Sequence, residues 1–191
     1  TKYTFTADEV VLTLRFFTPL LLDDLKLMSR PISYVDYEIA SNDGKNHNVE
    51  FYFDISSEAA VEDASAQSVR FALSENGGSC GRGEQDMLAR SGDDIRIEWG
   101  YLHLFSADHT ASVMNVTQKK DLVRPWGHKI VPITDFDKEY KVNDGWHSLV
   151  LRKEYEVTAD ASVKNFLCLG YDDIYSIQYF QKNIKGYGTK D

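Results

Sequence analysis

The sequence predicts an all-β fold: a mostly antiparallel β-sandwich of roughly ten strands with one short helix. Apolar and polar residues alternate with period two over residues 10–17 and 49–55. Further β-rich runs recur between clusters of Gly, Ser, Asn and Asp, and 13% of the chain is aromatic, with only four prolines.

Each element has a local reason. Val10, Leu12, Leu14 and Phe16 form one wholly apolar face, whereas Val11, Thr13, Arg15 and Phe17 form a mixed one. Val35, Tyr37 and Ile39 share a face in the next strand. Val49, Phe51, Phe53 and Ile55 alternate with Glu50, Tyr52 and Asp54, the pattern of a half-buried strand. Ser41-Asn42-Asp43-Gly44-Lys45 between these runs tolerates positive φ, which predicts an antiparallel hairpin of residues 32–40 with 49–55. Strands are also expected over 68–73, 95–105, 147–155 and 163–169, with turn clusters at 76–83 and 91–94. Val113, Met114, Thr117 and Leu122 roughly share a helical face, so the helix is placed at 110–122.

With 191 residues the chain is long enough for one domain that buries about 70% of its unfolded surface. No repeat or composition break divides it, so residues 1–191 are read as a single domain, with 171–191 as its exit. A net charge of −9 repels phosphate, and no basic run is interleaved with aromatics, which argues against nucleic acid. The most apolar stretch, Phe16 to Leu22, is broken by Pro19 and is too short for a membrane span. The chain opens at Thr1 without a visible signal peptide, as an excised or mature piece would.

Candidate chemistry is sparse. Gly77-Gly78-Ser79-Cys80-Gly81 satisfies G-x-S-x-G, but Arg82-Gly83-Glu84-Gln85 does not supply the helix that a nucleophile elbow requires, so a flexible loop is the expected reading. His47, His103, His109, His128 and His147 stand singly, with no zinc-ligand spacing, although His103 and His109 can approach across a turn. Asp23-Asp24, Asp93-Asp94, Asp135 with Asp137, and Asp172-Asp173 read as solvated turns, and Asn42-Asp43-Gly44 does not match a calcium loop. No catalytic residue, metal or cofactor is therefore assigned. Cys168 reads as a small buried hydrophobe and Cys80 as a loop residue, and two cysteines do not identify a compartment. Trp99, Trp126, Trp146 and the tyrosines raise carbohydrate binding as an alternative. Against it, Trp99 follows Ile95 and Ile97 at period two as core, while the other two lie at loop edges.

Several longer blocks carry a resemblance. They are Thr18-Pro19-Leu20-Leu21-Leu22-Asp23-Asp24-Leu25, Leu27-Met28-Ser29-Arg30-Pro31, the hairpin through Asp43-Gly44-Lys45 to Phe51-Tyr52-Phe53-Asp54, Ser91-Gly92-Asp93-Asp94-Ile95 to Leu102, and Leu169-Gly170-Tyr171 to Phe180. Together they resemble the amino-terminal domain of secreted, multidomain glutaminase-A-like proteins of Bacteroides and fungi. Leu22 departs from the proline expected before the paired aspartates, and residues 76–83 are individual to this chain. The resemblance implies a larger helical region, beginning where this sequence stops at Asp191, that carries the conversion of glutamine to glutamate and ammonia. It also implies an extracytoplasmic location: periplasmic, cell-surface or secreted. Under it, the present chain is a non-catalytic accessory domain. Tyr171, Asp172, Asp173, Tyr175, Tyr179 and Phe180 are the expected residues for docking on the helical region, because aromatic side chains contribute contact area and tyrosine keeps a polar tip.

Overall fold

The structure, a computed structural model, describes residues 1–82, 98–123 and 132–189. In chain order the strands are β1 (Lys2–Thr6), β2 (Val10–Phe17), β3 (Ile32–Ser41), β4 (His47–Ser56), β5 (Ser68–Ser74), β6 (Gly77–Gly81), β7 (Tyr101–Phe105), β8 (Thr110–Met114), β9 (Tyr140–Lys141), β10 (Ser148–Val157), β11 (Val163–Asp172), β12 (Ile177–Tyr179) and β13 (Lys182–Ile184). Two helices, α1 (Leu25–Met28) and α2 (Val116–Leu122), and two 3-10 turns, Ser57–Ala60 and Tyr187–Thr189, complete the described residues.

The strands form an eight-stranded sheet in the order β1-β2-β3-β11-β7-β6-β5-β9, a three-stranded sheet β4-β10-β8, and the separate ribbon β12-β13. Every pairing is antiparallel, as a sandwich of this kind requires. The apolar faces read from the alternation meet between the two larger sheets. Val35, Tyr37 and Ile39 of β3, Leu102 and Leu104 of β7 and Leu167 of β11 are buried against Phe51 of β4 and Leu149 and Leu151 of β10. The Tyr37 and Phe51 rings stack at 3.7 Å. The smaller sheet does not cover the whole face, so Tyr3 and Phe5 at the β1 edge remain 50% and 54% exposed.

The expected hairpin of residues 32–40 with 49–55 is not formed. β3 pairs with β2 and β11, whereas β4 pairs with β10 in the other sheet. Two strands that each present a full apolar face bury more by packing face to face than side by side, and the connecting loop allows the crossing. Ser41 Oγ accepts from the amides of Gly44 and Lys45, Asp43 Oδ1 accepts from the Lys45 amide at 3.0 Å, and Gly44 takes φ +73°. His47, 2.7 Å from Asp43, holds that carboxyl down to about 2.

Three further expectations change. Residues 110–122 divide into β8 and α2, because Asn115 is an N-cap: its side chain accepts from the Gln118 amide while Gln118 reaches back to the Asn115 amide. The strand expected at 95–105 is confined, within the described residues, to β7; residues 95–97 and the turn at 91–94 lie outside them. The glycine-rich stretch at 76–83 is not a loop over 77–81 but the strand β6, held between β5 and β7. Its glycines permit close approach, since a Cβ on Gly77 would overlap the Leu104 carbonyl and one on Gly81 the Gly100 carbonyl.

Candidate docking face and sheet groove

One end of the molecule concentrates exposed apolar side chains. After Phe17, Pro19 interrupts the strand, and Leu20, Leu21 and Leu22 lead into α1, whose first turn is capped by Asp24 Oδ1 on the Leu27 amide at 2.9 Å. Leu20, Leu22 and Leu25 are 75%, 74% and 61% exposed. From the other end of the chain, the 187–189 turn packs on α1, with Gly188 against the Ser29 and Arg30 backbone. The β12-β13 ribbon leads directly into this turn, with Gly186 close to Ser176 Oγ, and leaves Ile177, Tyr179, Phe180 and Ile184 all exposed.

The ribbon is built on strain. Its two-residue turn, Phe180–Gln181, has both φ angles positive, at +46° and +62°. This is the type I′ geometry that hairpins favour, but it is occupied by residues for which left-handed backbone costs about 1 kcal/mol each. Phe180 thereby stands at the tip, 83% exposed. Ile174, at φ +59°, redirects the chain out of β11, and its amide donates to Asp172 Oδ1 at 2.9 Å.

The six residues expected at this end divide. Tyr179 and Phe180 are exposed. Asp172 and Asp173 are half-buried turn formers; Ser176 Oγ donates to Asp173 Oδ1 at 2.8 Å. Tyr175 is half-buried, and Tyr171 packs on the core, its hydroxyl donating to the Trp99 carbonyl at 3.1 Å and pushed up to about 12 by burial. The leucines of residues 20–25 were not assigned from the sequence, although three consecutive leucines that fit neither a strand nor a helix face are the signal of an uncommitted apolar surface.

The remaining candidates have structural positions. Ser79 lies in mid-strand, opposite Ala72 and His103, not at a strand-to-helix turn. His103 and His109 do not converge: His103 faces out from the large sheet, whereas His109 is buried with Tyr37 and Ser106. His103, His109 and His147 all have their protonation disfavoured by burial. Among the described residues no three His, Cys, Asp or Glu form a metal site. His128, Trp126 and Asp93-Asp94 lie outside the described residues. Trp99 is half-buried and Trp146 is 40% exposed with φ +49°. Glu98, buried, accepts from Gln67 Nε2 and pairs with Arg82 at 2.6 Å.

Both cysteines are buried and unpaired. Cys80 opposes Leu102 and so faces the core, whereas Cys168 opposes Tyr34 and Phe105 on the outer face. Burial pushes the Cys80 thiol up to about 12.

The outer face of the large sheet is hollowed. Two clefts of about 430 and 340 Å³ share His103 and Phe105; the first continues over Ala72, Gly77 and Ser79, the second over Gly170, Asp172 and Arg30.

These features define a β-sandwich domain with one apolar end and one grooved sheet face, without an assembled catalytic centre among the described residues. The chain belongs to the family described as "Domain of unknown function (DUF5127)", which matches residues 1–190. It is also similar to Glutaminase A of Aspergillus oryzae (strain ATCC 42149 / RIB 40), with 41% identity over 59 residues. That stretch covers 31% of this chain and 9% of the Aspergillus protein. The resemblance drawn from the sequence blocks thus has a counterpart in a glutaminase-related protein.

Proposed function

We propose that this chain is a non-catalytic accessory domain of a glutaminase-related protein and that it packs, through its apolar end, on a helical catalytic region of the same polypeptide. The observation that carries this reading is the packing of the 187–189 turn on α1, which joins two distant segments that each leave large apolar side chains exposed, Leu20, Leu22 and Leu25 in one and Ile177, Tyr179 and Phe180 in the other. An interdomain contact gains most from such side chains, and Phe180 on a strained turn is a projecting anchor that rewards burial. Similarity to Glutaminase A supports the identity of the parent; its substrate and its extracytoplasmic location are part of the proposal.

The test uses the whole parent protein carrying Leu25→Asp and Phe180→Asp together. Detachment of the domain is expected as a new low-temperature calorimetric transition and as accelerated proteolysis near residue 189, with reduced glutamine hydrolysis if the domain shapes the substrate entrance. A single unchanged transition with unchanged proteolysis would overturn the docking reading. Glutaminase activity retained by this chain in isolation would overturn the non-catalytic one.

A further inference from the structure

The groove on the outer face of the large sheet follows one rung of the ladder. Directly opposed residues share a face, and the register places Ile32, Gly170, His103, Ser79 and Ala72 in a row across β3, β11, β7, β6 and β5. Four interstrand spacings give this row a length of about 19 Å. Gly170, Ser79 and Ala72 keep its floor low. Phe105 stands along one side, 36% exposed, and Tyr101, whose ring lies 6.3 Å from that of His103, along the other.

We propose that this row is a binding groove for a neutral oligosaccharide. Its polar groups are poised but unspent: among the described residues His103 has a ring contact with Tyr101 and no hydrogen bond, and neither Ser79 Oγ nor the Arg30 guanidinium has a partner. A few polar groups converging beside an aromatic face form the usual lining of a small-ligand site. Sugar hydroxyls both donate and accept, which matches an imidazole, a hydroxyl, a guanidinium and the Asp172 carboxylate together. Phe105 offers a flat apolar surface to the C–H face of a pyranose.

The alternatives fit less well. An extended peptide gains its affinity by adding to a strand edge, but here the backbone groups of the inner strands are already paired on both sides. Arg30 is balanced by Asp172 in the same cleft, and the chain carries a net charge of −9, so an anionic polymer has no field to follow. This site adjoins the apolar end where Arg30, Gly188 and Thr189 line its second cleft, but its row of opposed residues runs away from that end across β11, β7, β6 and β5, so variants at His103, Phe105 and Ala72 test it separately from docking.

The experiment is calorimetric titration of this chain with neutral hexasaccharides of glucose, mannose, xylose, galactose and N-acetylglucosamine, with an unstructured hexapeptide as comparison. At least one saccharide is expected to bind with Kd below about 1 mM. Phe105→Ala and His103→Ala should each weaken that binding at least tenfold, and Trp146→Ala should not. Ala72→Trp, at an exposed position with no core contact, fills the groove and should also abolish binding while thermal unfolding stays unchanged. This keeps the test valid if Phe105→Ala unfolds. Four results would overturn the proposal: no saccharide binding, binding of the peptide alone, binding unaffected by Ala72→Trp, or loss of binding in Trp146→Ala but not in the groove variants. The Leu25→Asp and Phe180→Asp changes should leave saccharide binding intact, so failure of the docking reading does not decide this one.

Discussion

The Tyr37 hydroxyl lies 2.7 Å from His109 Nε2 and 2.6 Å from the Tyr155 hydroxyl, joining the two sheets at the centre of the core. The surrounding contacts fix who donates. Ser106 Oγ donates to the Phe166 carbonyl at 2.9 Å and therefore accepts from His109 Nδ1–H. With the imidazole neutral, as burial favours, His109 Nε2 accepts from Tyr37, which accepts from Tyr155, which accepts from Asn165 Nδ2 at 2.9 Å. In that state the chain of bonds runs in one direction.

Protonating His109 would turn Nε2 into a donor, force the Tyr37 hydroxyl round toward Tyr155 and place a charge in the interior. Burial lowers its pKa, with Asp108 opposing and Lys153 assisting that shift. For a histidine depressed in the folded state, the unfolded chain binds more protons, so stability is complete above the unfolded value of about 6.5 and falls as pH drops below it. Urea unfolding at pH 7.5 and 5.5 should show this loss, and His109→Gln should show a smaller one. Equal losses in both proteins would reject the tautomer. Tyr37→Phe leaves His109 Nε2 and Tyr155 without their shared partner and should cost about 1–3 kcal/mol at pH 7.5.

The G-x-S-x-G stretch separates packing from chemistry. Gly77→Ala places a methyl group against the Leu104 carbonyl and should destabilise by about 1–3 kcal/mol, because backbone cannot give way as a side-chain tip can. Ser79→Ala, on the outer face of the same strand, should change stability by less than about 0.5 kcal/mol. Denaturant midpoints of the two variants compare them directly.

The cysteines should behave as buried thiols whatever the redox conditions. Facing opposite sides of the sheet, Cys80 and Cys168 are not placed to bridge. Thiol titration at pH 8 is expected to find no rapidly reacting group in the native chain and two after unfolding, with no disulfide formed on mild oxidation.

The Phe180–Gln181 turn should be improvable. Replacing it with Asn-Gly relieves the left-handed strain at both positions and should stabilise the β12-β13 ribbon by about 1–2 kcal/mol. Amide exchange at Tyr179 and Lys182 measures this locally. The same change removes the Phe180 ring, so the parent protein should gain ribbon order while losing domain contact.

Strand faces were readable from alternation because burial on one side of a pleated strand imposes a period of two: Val35, Tyr37, Ile39 and Phe51 all point where the pattern puts them. Partners were not readable, since period two records which side is wet and not which strand lies beside it. β3 and β4 satisfy the same pattern as hairpin neighbours or as facing strands. At 77–81 the usual meaning of glycine misled: the residues that signal a loop also permit the closest packing inside a sheet. The groove was hidden for a related reason. Ser79, His103 and Gly170 are brought together only by the order of β6, β7 and β11, which no local spacing encodes.

The crossing of the chain between sheets after β3 also has a kinetic side. β4 is made early but, among the described residues, finds its one ladder partner in β10, and its Glu50 is bonded by Arg152, 102 positions later. Until that partner arrives, a ten-residue strand with an apolar face stands unpaired. Such distant closure slows folding and exposes the nascent chain to intermolecular pairing. The charges on its other face, Glu50 and Asp54, are well placed to discourage that encounter while the chain waits.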